Sequence, residues 1–116
     1  MTRFLPCTLV LSMMIGCASD PAPTEQLRLT EQALTQARSV GASQTTPEFV
    51  LAEQSLAAAV AAMKDEDYRL ARLHAEKAEL DARLAEAKVL NDKSKQELVE
   101  VSRRIERLRE QLRASQ

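Results

Sequence analysis

A chain of 116 residues has room for one small domain, near the size at which a single core is only marginally stable. Ala, Leu, Glu, Gln, Arg and Lys dominate, aromatics are 3% and glycines number two, which points to long helices and excludes a sheet built from branched and aromatic residues. The net charge of −1 hides a division: residues 20 to 67 carry eight acids against three bases, and residues 93 to 113 seven bases against four acids. The basic end is too sparse, and too poor in stacking aromatics, to hold nucleic acid.

The first element is a leader. Arg3 precedes an apolar run from Phe4 to Ile15 broken only by Thr8 and Ser12, so it lacks the polar face of a core helix. At about 12 residues it is also shorter than the roughly 20 that a spanning helix needs. Met14, Ile15, Gly16 and Cys17 resemble the lipobox of bacterial lipoproteins, with Met14 where Leu is usual. The resemblance implies cleavage between Gly16 and Cys17, a diacylglyceryl group on the Cys17 thiol and an amide-linked third chain. The membrane is then a partner through covalent lipid, because each buried methylene contributes about 0.8 kcal/mol and two or more chains hold stably. Cys7 departs with residues 1–16 and lipid consumes Cys17, so no thiol is left for a disulfide, a metal or catalysis. Ala18 stands where Asp favours inner-membrane retention, which implies the periplasmic face of the outer membrane; nearby Asp20 keeps the inner membrane as the alternative.

Residues 17–23 form the lipidated linker, its "ASDPAP" kept extended by proline. Thr24 is expected to cap a helix over 25–40 that stops at Gly41, with Leu27, Leu34, Ala37 and Val40 on its apolar face. Thr46 as cap, Pro47 at the first helical position and Glu48 facing the helix dipole predict a second start. Phe49, Ala52, Leu56, Ala59 and Met63 then recur at helical spacing. "KDEDY" reads as a turn, with Asp65 or Asp67 capping a third helix.

Beyond that turn there is neither Gly nor Pro up to Gln116, which allows one helix of nearly 50 residues, roughly 70 Å long. Ala71, Ala75, Ala78, Ala82 and Ala85 line up as a small-residue stripe against which the alanine-rich second helix would pack as an antiparallel hairpin over residues 24–90. Leu70, Leu73, Leu80, Leu84 and Ala87 are expected to flank and close that seam, with Tyr68 and Phe49 plugging its ends. From 91 to 116 the helix extends alone, and Leu98, Val101, Ile105, Leu108 and Leu112 continue at 3-4-3-4 spacing, the heptad pattern of a coiled coil. Burying five such side chains is worth on the order of 10 kcal/mol, so this interaction seam calls for a cover: a second copy, the first helix folded back, or another envelope protein. Lys77 and Asn91 fall in the same register, either fixing alignment or, at Asn91-Asp92, marking a break. Glu79–Arg83 and Glu100–Arg104 read as ordinary surface pairs. The predicted fold class is all-α: a helical hairpin of two to three helices with a long C-terminal coiled-coil-like helix.

No constellation for chemistry emerges. His74 is the sole histidine, Asp65, Glu66 and Asp67 are explained by capping, and Gly41 is the one glycine after the leader, so no phosphate loop exists. The serines have no base placed to activate them. The expectation is no enzyme, no cofactor and no metal.

"ARSVGA", Pro47, "AEQSLAAA" and "DYRLARLHAEKAELDARLAEA" together resemble a domain-of-unknown-function family of small proteobacterial lipoproteins, over roughly residues 27 to 112. The resemblance implies an Ala-rich hairpin turning at the Asp-Tyr pair. Some relatives add an OmpA-like domain that binds peptidoglycan; here "RASQ" comes after the last heptad, and neither that domain nor a terminal lysine for a cell-wall link is expected. A single tetratricopeptide unit is also similar, but such arrays need about three units. The functional expectation is a lipid-anchored structural or interaction protein, with binding of peptidoglycan or another envelope ligand as the alternative.

Overall fold

The computed structural model describes residues 20–115, and the leader with its Gly16–Cys17 junction lies outside the described residues. Three helices and no strand are found among the described residues: α1 (Thr24–Ser39), α2 (Pro47–Lys64) and α3 (Tyr68–Ala114).

Local chemistry accounts for the ends of α1 and α2 and for the start of α3. α1 ends where Gly41 takes φ +109°, letting the Ala42 amide reach back to the Ala37 carbonyl and the Gly41 amide to that of Arg38, both at 3.0 Å. That is the Schellman arrangement, and buried Ala42 closes it against buried Ala37. α2 ends the same way without glycine: Glu66 adopts φ +58° while the Asp67 amide bonds Ala62 at 3.0 Å. Asp67 then caps α3, its Oδ1 accepting from the Leu70 amide at 3.0 Å. Two expected caps differ. Thr24 is the first residue of α1, not its cap, and the position before it is Pro23. Thr46 does precede α2, but its hydroxyl accepts from the Ser43 amide at 3.3 Å, because the short loop turns that donor toward it.

α3 is the spine. α2 runs antiparallel to it, with Lys88 donating to Glu48 and, farther along, Lys77 Nζ to Ser55 Oγ at 3.1 Å. α1 runs parallel to it: Arg72 reaches the Pro21 carbonyl at 3.4 Å, Gln36 reaches Glu86 at 3.2 Å and Lys93 reaches the Val40 carbonyl at 2.6 Å. The first helix therefore covers the upstream half of α3 and does not fold onto the 98–112 seam. α1 and α2 touch side by side through Arg38–Glu53 at 3.0 Å.

The core is a line of small side chains. Ala71, Ala75, Ala78, Ala82 and Ala85 have no exposed surface, as the stripe predicted, and face Phe49, Ala52, Ser55, Ala59 and Ala62 of α2 and Thr30, Leu34 and Ala37 of α1. Phe49 plugs the end beside the α1–α2 loop with the Arg38 guanidinium 5.3 Å above its ring, whereas Tyr68 at the other end is only half-buried. Leu56 and Met63 are half-buried too, since the true stripe on α2 passes through Ser55 and Ala62. Buried Thr30 is satisfied: its hydroxyl lies 2.9 Å from both the Gln26 and Ala75 carbonyls, tying α1 to α3.

One expectation is reversed. Leu70, Leu73, Leu80, Leu84 and Ala87 do not close the hairpin; all are exposed, Leu80 to 68%. The reason is geometric: on a helix whose alanines sit at zero exposure against two neighbours, side chains half a turn away must point outward. The alternative of a break at Asn91-Asp92 is also overturned, because α3 is continuous through both.

Candidate interaction face

Past Lys93 nothing among the described residues covers α3. Its last 21 helical residues, about 32 Å at 1.5 Å per residue, stand clear of α1 and α2. Leu98, Val101, Ile105, Leu108 and Leu112 are exposed to between 43% and 67%. A helix presenting nothing but charge would keep such residues apart; here they share one face.

The same 3-4 spacing continues upstream through Ser94, Asn91, Ala87, Leu84, Leu80, Lys77, Leu73 and Leu70, all of them exposed. α3 thus carries two lines of heptad period on opposite sides. The alanine line is used by α1 and α2, and among the described residues the leucine line is open over its whole length. Spacing alone identified both lines but not their roles. It also passed over Thr30 and Ser55, which sit at the helical steps 27-30-34-37 and 52-55-59-62; their position in the stripe was the available signal.

Charged residues flank the open face. Lys77–Asp81 at 3.1 Å, Arg83–Glu79 at 2.6 Å and Arg109–Glu106 at 2.7 Å are pairs within the helix, each worth a few tenths of a kcal/mol. Glu100 pairs with Arg107 at 3.4 Å, not with Arg104 as the spacing suggested, because the longer reach places the two along one side of the rod. The hydrogen bonds from Arg83 and then Gln26 hold the Glu79 carboxyl below the usual carboxylate range, and Lys88 does the same for Glu48. The concavity at Leu98, Val99, Ser102, Arg103, Glu106 and Arg107 is built on one helix and encloses nothing. His74 is half-buried, and among the described residues no group of three His, Cys, Asp or Glu side chains could hold a metal ion. No described helix is long and apolar enough to cross a membrane.

The fold has a close counterpart in the crystal structure of a DUF4398 family protein from Pseudomonas aeruginosa PAO1, at a TM-score of 0.81 and 56% identity, covering 83% of this chain and 100% of that one. No curated protein matches the chain. Residues 25–101 match the family described as Domain of unknown function (DUF4398), so that Ile105, Leu108 and Leu112 fall beyond the matched segment. No enzyme family is indicated. Ala-rich hairpin, Asp-Tyr turn and long spine together have one assignment: the chain belongs to the DUF4398 domain family.

Proposed function

We propose that this is a lipid-tethered envelope protein of structural or interaction type, without catalysis, whose long helix docks a partner helix. The observation that carries the reading is the uncovered row Leu98, Val101, Ile105, Leu108 and Leu112. Each is already roughly half covered by its own helix, so a partner recovers about 1 kcal/mol per side chain, or about 5 kcal/mol from this chain alone. That is enough to select one partner along a heptad face. The tether rests on the leader and the Gly16–Cys17 junction, and Ala18 after the cysteine favours the periplasmic face of the outer membrane, with Asp20 keeping the inner membrane as the alternative.

Two measurements test this. Intact mass of the native protein should show a chain beginning at acylated Cys17; an unprocessed leader would refute the tether. A photo-reactive residue at position 98 or 108, irradiated in living cells, should yield a discrete protein adduct, while the same probe on an exposed α1 position such as Gln32 should not. A second reading is favoured by Arg103, Arg104 and Arg113, which have no ion-pair partner among the described residues: the tail would then bind an anionic polymer such as peptidoglycan. Salt-sensitive retention on purified sacculi, with no protein adduct, would decide for it.

A further inference from the structure

We infer that the occupant of the open face is a second copy of the chain, its α3 lying antiparallel along the full seam from Leu70 to Leu112. This rests on the reading of α3 as a docking helix and names its partner. In heptad terms Leu70, Lys77, Leu84, Asn91, Leu98, Ile105 and Leu112 take the a position, and Leu73, Leu80, Ala87, Ser94, Val101 and Leu108 the d position. The buried alanines then occupy b and f, so α1 and α2 lie on the far side of the spine and leave every a and d residue exposed, with only Lys77 and Lys88 reaching back to Ser55 and Glu48 of α2. The exposed area of the nine aliphatic side chains, on the order of 800 Å² per copy, equals what one partner contributes to a standard interface.

Charge decides the orientation. In a parallel, in-register pair each g residue faces the e residue five places on in the other chain, which sets Glu76 against Asp81, Arg83 against Lys88 and Arg104 against Arg109. All three contacts are like-charged, and each occurs twice. Reversing one helix brings g to g and e to e. With the two-fold axis between Asn91 and Ser94, Glu76 meets Arg104, Arg83 meets Glu97 and Asp81 meets Arg109, while the two Leu90 side chains face one another. Glu76, Glu97 and Arg104 are free for this, since none makes an ion pair within its own chain among the described residues.

The same alignment sorts the core. Asn91 falls opposite Ser94 of the second copy, so the central polar residues face each other and not leucine, and the tail from Leu98 to Leu112 lies on the stretch from Ala87 back to Leu73. Lys77 meets Leu108, its ammonium held at the rim by Asp81 at 3.1 Å. One like-charged contact remains, Lys95 with Lys95, and each carries Asp92 of its own chain 3.8 Å away. The two α1–α2 caps sit at opposite ends of the rod. Copies tethered in one leaflet would hold it along the membrane surface, with the two chain starts about 60 Å apart.

The test uses the full chain, with the parent as the control for its own cysteines. Glu76→Cys and Arg104→Cys, co-expressed with different tags and oxidised in cells, should form a mixed disulfide-linked dimer, whereas Ile105→Cys alone should not link to itself. Purified protein at tens of micromolar should sediment as a dimer. Ile105→Lys with Leu108→Lys should raise the dissociation constant at least 100-fold with α1 and α2 still helical. Glu76→Arg should weaken the dimer and Arg104→Glu in the same chain should restore it. Self-linking of Ile105→Cys, or a monomer at 100 µM, would overturn the inference. A monomer whose seam still captures a different protein in cells would overturn the second copy and leave the docking reading standing; no adduct at all would overturn both.

Discussion

Replacing Ala82 by Leu adds three carbons at a position with no exposed surface, inside the cluster that also holds Ala37, Phe49, Ala52 and Ala85. Intrinsic helix preference barely changes, since Leu ranks just below Ala, so the effect is one of packing. Adding methylenes to a filled core costs about 1–3 kcal/mol. Ala82 faces two helices at once, and neither can withdraw without uncovering Phe49 at 1% exposure, so the upper half of that range applies, about 2–3 kcal/mol. For a domain of this size each kcal/mol moves the melting temperature by roughly 4–8 °C, which makes a fall of about 8–24 °C the expected result. The contrast is Leu80→Ala, two residues away on the opposite face and 68% exposed, which forfeits less than about 1 kcal/mol and regains some as helix propensity. Thermal and urea unfolding monitored by far-ultraviolet circular dichroism, at about 1 µM to suppress association, compares the two. An Ala82→Leu chain that melts with or above the parent, or a Leu80→Ala chain that falls as far as Ala82→Leu does, would refute the close-packed alanine line.

Three further outcomes are expected from the same contacts. Glu66→Gly should stabilise by about 1 kcal/mol, because the residue at φ +58° carries a left-handed penalty that glycine does not; a lower urea midpoint would show that the side chain matters more than its backbone. Thr30→Val, nearly equal in shape, should cost about 1 kcal/mol by removing the hydroxyl that ties Gln26 and Ala75, read as a reduced unfolding free energy with an unchanged denaturant slope. Glu48 and Glu79 are held below the usual carboxylate range in the folded chain by Lys88 and Arg83, so their contribution is present above the unfolded value and is lost as pH falls through the folded one. The melting temperature should be level from about pH 8 to 5 and fall below about 4.5, less steeply for Glu48→Gln; a chain equally stable at pH 3 would contradict the pairing.

What the sequence by itself determined is local. Gly41 as a stop, Pro47 as a start, Asp67 as a cap and the lack of any breaker after it all act within one turn of the backbone, and the helices begin and end accordingly. The five alanines from Ala71 to Ala85 were legible as a packing stripe for the same reason, since period alone places them on one face. What only the tertiary structure decided is which of two equally periodic faces of α3 the short helices take, and where α1 goes. Leucines outweigh alanines in hydrophobicity, and a pattern read along the chain sends Leu70, Leu73, Leu80 and Leu84 inward. Once α1 and α2 must both reach one spine over the same five turns, small side chains let the backbones approach and bring Thr30, Phe49 and Ala52 into contact with it. The larger apolar face is left on the outside, and that choice is a property of three helices together, invisible in any one of them.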